Sequence, residues 1–249
     1  MNQINKVSVV LATYDERENI RKLIEKIVSF LTPWEYEIIV VDDDSPDGTW
    51  EVIEEMTRED PHIQLVRRMH EKGLTSALNE GISRTTGDAV IWMDCDFQHP
   101  IRLIPSLIAG IEAGYDVVAT SRYTEGGEKG WFGIPAQPSI VRVHKFLARL
   151  LSRFTTFILH PKVTDWSSGY LAVRRNIFDH YKLKGDYGEY YIRLMYHVAS
   201  RGYRFKELPY ELKIRMRGYS KTTKTYVSFF LRGIKYMIAI AELKLFKGR

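Results

Sequence analysis

The sequence predicts a doubly wound α/β fold, and two observations carry that expectation. Residues 7–11 and 38–41 are β-branched runs that are apolar throughout, as in parallel strands buried on both faces. Between them, residues 18–31 place Ile20, Leu23, Ile24, Ile27 and Leu31 at helical spacing. The alternation then repeats: 49–58 helical, 63–66 extended, 75–85 helical, 89–93 extended, 101–113 helical and 116–120 extended. Such alternation builds a mostly parallel sheet covered by helices. Sheets of this kind bind ligands beyond the carboxyl ends of their strands. Chemistry is therefore expected at residues 12–16, 42–47, 94–99 and 121–127, each directly after a strand.

Beyond residue 127 the texture changes. Residues 126–130 read as a flexible loop and 131–138 contain two prolines. Residues 141–159 are helical, with Arg142, Lys145, Arg149, Ser152, Arg153 and Thr156 facing away from Phe146, Leu150, Phe154, Phe157 and Ile158. A second amphipathic stretch, 226–246, can gather Phe229, Phe230, Tyr236, Met237 and Ile240 on one face. Its longest uninterrupted apolar run is 236–241, far short of the ~20 residues that span a bilayer. Both helices are candidates to lie in a membrane interface, with packing on the sheet as the alternative.

Composition narrows the class. With 45% hydrophobic and 27% charged residues, 17 Gly and 9 Pro, the 249-residue chain is neither collagen-like, low-complexity nor disordered. Its length suits one large domain, or one domain with an appendage. We divide it into a catalytic body, 1–222, and a basic amphipathic segment, 223–249. The one cysteine, Cys95, excludes an intrachain disulfide and a multi-cysteine zinc site, and leans towards a reducing compartment. Residues 1–6 lack the apolar stretch of a secretory signal, so the body of the chain is expected to stay in the cytoplasm. Residues 201–249 carry 13 Lys and Arg against Glu207, Glu211 and Glu242, about +10, leaving about −5 on the rest. A basic tail on an acidic body calls for an anionic partner: phosphates, nucleic acid or a lipid surface.

Two acidic clusters stand at strand ends. Asp42-Asp43-Asp44 exceeds what the turn through Ser45-Pro46-Asp47-Gly48-Thr49 requires, because successive carboxylates repel unless a cation, ribose hydroxyls or a backbone nest relieves them. Asp94 and Asp96 bracket one residue just past an apolar strand, so both can project at the sheet edge, and Gln98 continues the spacing with a neutral oxygen. Hard oxygen ligands with open coordination suit Mg²⁺ or Mn²⁺ holding a substrate diphosphate. His99, beside Pro100, reads as a turn residue. No P-loop, dinucleotide-binding glycine pattern or G-x-S-x-G elbow occurs.

These residues, in order, carry a family resemblance. Thr13-Tyr14-x-Glu16-x-Glu18-Asn19-Ile20, Val41-Asp42-Asp43-x-Ser45-x-Asp47-Gly48-Thr49, Asp94-x-Asp96-x-Gln98-His99-Pro100, Ser121-Arg122-Tyr123, Asp165-x-x-Ser168-Gly169 and Arg215-x-x-Gly218-x-Ser220-Lys221 resemble glycosyltransferase family 2, most closely its polyprenyl-phosphate (dolichyl-phosphate) mannose synthase branch, over about residues 5–222. The resemblance implies a GT-A fold, Rossmann-like, with a mostly parallel sheet sandwiched by helices and here a C-terminal amphipathic helical segment. It implies nucleotide-sugar contacts from Ala12, Tyr14, Glu16, Val41, Asp43, Asp44, Asp94 and Lys221, and a Mg²⁺ or Mn²⁺ site from Asp94, Asp96 and Gln98. Asp96, Arg122 and Arg215 would be catalytic, and Arg122, Arg142 and Ser220 would meet the acceptor phosphate. The chain departs from the pattern in four places. Ala12 stands where the family usually has Pro, and Leu171 replaces a frequent Arg. Ala136-Gln137-Pro138 replaces a basic cluster, and Arg193 stands where Glu is usual.

The implied reaction moves a hexosyl group, mannose from GDP-mannose first among candidates, to a dolichyl or polyprenyl phosphate. A phosphate monoester, with its second pKa near about 6, arrives as an anionic nucleophile and needs positioning rather than a base. Single displacement with inversion is the preferred course, since no carboxylate is obviously free to be a covalent nucleophile. A lipid acceptor makes the lipid surface a further partner, places the expected location at the cytoplasmic face of a membrane, peripherally bound, and leaves room for a separate membrane subunit. Three alternatives compete. A receiver-like domain would be half this length and would leave Asp94 and Asp96 idle. A nucleic-acid-binding tail leaves both acidic clusters unexplained, so nucleic acid is not an expected partner. A family member with a UDP-sugar donor or a sugar-hydroxyl acceptor would need a base, for which Asp165 is the one good candidate.

Overall fold

The computed structural model describes residues 3–127, 138–211 and 226–245. The chain runs β1 (Lys6–Thr13), α1 (Ile20–Leu31), β2 (Glu35–Asp42), α2 (Thr49–Glu59), β3 (Ile63–Arg67), α3 (Leu74–Ser83), β4 (Ala89–Trp92), α4 (Ile104–Glu112) and β5 (Val117–Ser121). It continues with α5 (Pro138–Ile158), β6 (Leu171–Arg174), α6 (Glu189–Ser200), β7 (Phe205–Pro209) and α7 (Tyr226–Leu245). The seven strands form one sheet in the order β3-β2-β1-β4-β6-β5-β7. β6 lies antiparallel to β4 and β5, while the other pairings are parallel.

The unbroken apolar runs of the central strands follow from burial on both faces. Val7, Val9 and Leu11 of β1 pack with Ile24, Ile27, Ile53 and Leu107 on the side covered by α1, α2 and α4. Val10 turns the other way, towards Leu78 of α3 and Leu194 of α6. The expected α/β class and the elements up to residue 121 stand, with boundaries shifted by a few residues. β6, α6 and β7 are additions. β6 is only four residues long, and its direction is set by the sheet rather than by any local signal.

The expectation for the two amphipathic helices changes in detail. On α5 the apolar side faces outward: Leu150 is 54%, Phe154 47% and Phe157 88% exposed. The inward side is small and polar. Ser152 donates to the Thr164 carbonyl, Thr156 donates to the Val163 carbonyl, and Trp166 Nε1 donates to Thr156 Oγ1. On α7 the face read from the sequence divides, because Ile240 and Ala239 are buried whereas Met237 and Ile238 are exposed. Ionic contacts to the body explain the split: Lys235 pairs with Asp186 at 2.6 Å, and Arg193 of α6 pairs with Glu242. Among the described residues no helix is long and apolar enough to cross a membrane.

Gly81 shows how closely α3 seats on the sheet. A Cβ there would overlap Val10 Cγ1 and lie 3.2 Å from Val41 Cγ2. Alanine is ordinarily worth about 1 kcal/mol over glycine inside a helix, yet overpacking two core valines costs about 1–3 kcal/mol. Gly81→Ala is therefore expected to lower stability in urea denaturation, and a neutral or stabilising result would mean that α3 shifts freely on the sheet.

Candidate active site

The strand order places a topological switch between β1 and β4, where consecutive connections leave in opposite directions. A crevice opens there at the carboxyl ends. Parallel registers bring Val10 beside Trp92, Thr13 beside Asp42, and Asp42 beside Arg67. The non-glycine residues with left-handed φ among those described are Asp15 (54°), Asp44 (53°) and Phe97 (64°), directly after β1, after β2 and in the turn after β4. Non-glycine residues in this region are uncommon and concentrate at functional sites.

The three-acid run resolves into three different roles. Asp42 is fully buried and closes its own turn, accepting from Ser45 N (2.8 Å), Ser45 Oγ (2.6 Å) and Thr13 Oγ1 (2.9 Å). Asp43 is held by Arg68 through Nε (2.7 Å) and Nη2, and it accepts the Gly73 N–H (2.7 Å) at the head of α3. Gly73 has φ +144°, which a side chain would strain. Asp44 remains partly exposed and pairs with Arg67 Nε at 2.7 Å. The repulsion that seemed to require a ligand is thus relieved within the chain by two arginines at the end of β3. Sequence reading did not single out Arg67 and Arg68, although two cations just past a strand adjoining three acids were the available signal.

Asp44 and Arg67 border a cavity of about 660 Å³, together with Tyr14, Arg17, Trp50 and Lys72. The Arg67 guanidinium lies 3.6 Å from the Trp50 ring centroid, and Lys72 Nζ lies 4.8 Å from that of Tyr14. Aromatic faces with interleaved cations suit a base and an anionic linkage. Glu16 serves the start of α1: its side chain accepts from Asn19 Nδ2 (2.8 Å) and its backbone N–H donates to Thr49 Oγ1 (2.9 Å). Val41 is fully buried against Ala77, so its backbone is what it presents at the strand end, and Ala12 lies opposite it in register.

Beyond β4, Asp94 is exposed and Asp96 buried. Asp96 Oδ1 accepts the Gln98 N–H at 3.0 Å, and the Asp94 N–H donates to His99 Nδ1 at 3.1 Å. The His99 ring is stacked 5.2 Å from that of Tyr170. Among the described residues no cluster of three or more His, Cys, Asp or Glu forms a closed metal cage. Two carboxylates at the switch point fit a hard divalent cation that takes its remaining oxygens from a diphosphate and water.

The end of β5 is organised by a buried ion pair. Arg122 is 3% and Asp165 0% exposed in their side chains. Arg122 reaches Asp165 through Nε and Nη2, both at 2.8 Å, and through its backbone N–H at 3.1 Å, while Nη2 also donates to Ser167 Oγ at 2.7 Å. Burial alone would raise the Asp165 pKa, but the charge and hydrogen bonds of Arg122 outweigh it and hold the carboxyl below its usual range. A carboxylate so held is a poor proton acceptor. The arginine fork assigned to phosphate from the sequence is engaged here with Asp165 and Ser167. Arg215, Ser220 and Lys221 lie outside the described residues, as does the side chain of Arg142.

Comparison with known proteins agrees with this architecture. The sequence profile of Glycosyl transferase family 2 matches residues 8–182, and the chain belongs to that family. It is 35% identical, over 92% of its length, to a dolichol-phosphate mannosyltransferase of Pyrococcus furiosus, of which it spans 62%. It is 33% identical, over 71% of its length, to an undecaprenyl-phosphate 4-deoxy-4-formamido-L-arabinose transferase of Proteus mirabilis, of which it spans 51%. Among solved structures, glucosyl-3-phosphoglycerate synthase from Mycobacterium tuberculosis, in complex with Mn²⁺, UDP and glucosyl-3-phosphoglycerate, superposes with a TM-score of 0.69 at 20% identity, covering 96% of this chain and 80% of that one. The same enzyme with Mg²⁺ and UDP gives 0.68 at 18% identity, covering 96% of this chain and 79% of that one. The shared fold is the GT-A-type sheet expected from the sequence.

Glu207 of β7 supports the Asp165 segment from behind. It accepts from Thr164 N (3.0 Å), Thr164 Oγ1 (2.6 Å) and Asp165 N (3.1 Å). Burial pushes its carboxyl up to about 7, with neighbouring Asp165 adding to the shift against those hydrogen bonds. Between the ordinary 4.5 and about 7 the folded protein keeps a proton that the unfolded chain has released, so this group makes stability fall as pH rises through that window. Glu207→Gln can keep the same partners and does not titrate. The stability difference between wild type and variant, measured by urea denaturation from pH 4.5 to 8, should therefore move against wild type as pH rises, whereas a flat difference would show that Glu207 titrates normally.

Proposed function

We propose that the chain transfers a hexosyl group from a nucleotide sugar to a polyprenyl phosphate, with GDP-mannose as preferred donor and a dolichyl-type lipid as acceptor. The observation that carries this reading is the Asp94/Asp96 pair at the β1–β4 switch, one strand from the aromatic and cationic cavity. The names of the two relatives, both transferases of isoprenoid phosphates, support it. A divalent ion on Asp94 and Asp96, with Gln98 beside them, would act as Lewis acid and template for the departing diphosphate. The chain itself contributes the rest. Tyr14, Trp50 and Asp44 border the space for the nucleoside, and the Arg122–Asp165 pair fixes the end of β5 beneath the acceptor side. Arg142, Arg215, Ser220 and Lys221 are proposed to meet phosphates, by their place in the sequence motifs.

An acceptor that is already anionic needs no proton removed and can attack the anomeric carbon directly as the diphosphate departs, and this single displacement, with inversion, is the course we propose. Capture of Asp165 by Arg122 weighs against a sugar-hydroxyl acceptor, for which Asp165 was the candidate base. The catalytic body is 1–222. The outward apolar side of α5, with Arg149 and Arg153 at its margins, and the outward residues of α7 are proposed to rest on the cytoplasmic face of the membrane, where the lipid acceptor lies.

Transfer of radiolabelled sugar to polyprenyl phosphate in detergent, across GDP- and UDP-sugars with Mg²⁺ or Mn²⁺, tests the reaction. Label is expected in the lipid phase, and Asp96→Ala should lose about a hundredfold or more of it, since metal stabilisation is worth several kcal/mol. Label confined to water-soluble product would transfer the acceptor role to a hydroxyl compound. For the membrane face, replacing both Phe154 and Phe157 with Ser should weaken co-sedimentation with anionic vesicles roughly tenfold or more, with little change in Tm because both side chains are already solvent-exposed. Unchanged sedimentation would remove α5 from the interface.

A further inference from the structure

We propose that Arg67 reads the nucleobase of the donor and that the base it selects is guanine, a residue-level step that rests on the nucleotide-sugar reading above. Three features fix its guanidinium. Nε and Nη2 both approach a single carboxylate oxygen, Asp44 Oδ1, at 2.7 and 2.5 Å. The Trp50 ring lies 3.6 Å from the guanidinium carbon and sets the tilt of its plane. Asp44, whose φ is 53°, is held by the tight turn that Asp42 closes.

A side-on grip of this kind uses Nε–H and one hydrogen of Nη2. The end-on pair, Nη1 and the second hydrogen of Nη2, is not used by Asp44; Arg67 borders the cavity that Tyr14 also lines, and Nη1 has no hydrogen-bond partner among the described residues. An arginine fork offers two adjacent donors in one plane and no acceptor. It is matched by two adjacent coplanar acceptors. Guanine supplies them as O6 and N7; adenine sets an amino group beside N7, and uracil separates its two carbonyls by N3–H. Cytosine also carries an adjacent pair, N3 and O2, and the GDP-sugar donor proposed above selects guanine over it. Asp44 and Trp50 thus act as positioning residues that hold the fork ready, so little freedom is lost when the base arrives.

A diphosphate could also take two hydrogen bonds from a fork, and the two cases separate cleanly. If Arg67 met phosphate, its loss would weaken every nucleoside diphosphate alike. If it meets the base, the loss falls on guanine. Calorimetric titration of the full chain with GDP, CDP, UDP and ADP, each with MnCl₂ present, makes the distinction for wild type, Arg67→Ala and Arg67→Lys. Lysine keeps the charge and loses the fork. Wild type should bind GDP at least about tenfold more tightly than UDP or ADP. Both variants should lose about ten- to a hundredfold in GDP affinity, as expected for one bidentate base contact, and keep UDP within about threefold. Equal loss for all four ligands, full selectivity retained in Arg67→Lys, or a wild-type preference for CDP or UDP would overturn the assignment while leaving the nucleotide-sugar reading intact. Failure of wild type to bind any of the four would overturn that reading itself. Circular dichroism of each variant checks that the fold is kept.

Discussion

The constraint on which the rest of the structure depends is charge at the carboxyl ends of the strands. The parallel sheet delivers several acids to one edge, among them Asp42, Asp43, Asp44, Asp94 and Asp96, and like charges so gathered destabilise a fold unless each is relieved. The chain relieves most of them itself. Asp42 is absorbed by backbone and hydroxyl donors, Asp43 by Arg68, Asp44 by Arg67, and Asp165 on the far side by Arg122. Asp94 and Asp96 stand apart at the end of β4, the first exposed and the second buried with Gln98 donating to it. Their place beside the β1–β4 switch, rather than the number of acids, is why we propose the end of β4 for an external cation.

The buried pairs have structural consequences beyond neutrality. Asp43 joins the end of β2 to the Gly73 turn that starts α3, so the wall of the cavity that Lys72 lines is tied to the sheet. Arg122 and Asp165 bind the end of β5 to the 164–168 segment, which Glu207 secures from β7. Breaking one partner of such a pair typically costs about 3–5 kcal/mol, because a charge is then left buried and uncompensated. Rigidity of this kind is what a site needs when its work is positioning.

Much of this was legible in the sequence, and what was not has physical reasons. Strands covered on both faces must be apolar throughout, so β1, β2 and β4 announced themselves, and the acids that follow them stood out by contrast. The pairing of those acids was not legible, because Arg67 and Arg68 come from another strand and meet them only through the parallel register of β2 and β3. β6 was hidden because four residues carry too little pattern, and its antiparallel direction is a tertiary fact. The amphipathicity of α5 was plain, but its sense was not: Ser152, Thr155 and Thr156 turn inward and Phe157 outward, which periodicity alone does not say.

The division between acids neutralised within the chain and acids that hold a cation has a direct test. Mn²⁺ binding in the presence of GDP, followed by electron paramagnetic resonance, can be compared for wild type, Asp43→Asn and Asp96→Asn, each shown to be folded by near-ultraviolet circular dichroism. Retention of Mn²⁺ affinity within about threefold in Asp43→Asn and its loss in Asp96→Asn is the expected result, as hard-ion sites depend on carboxylate charge. Loss in Asp43→Asn with retention in Asp96→Asn would contradict it and move the cation to the end of β2.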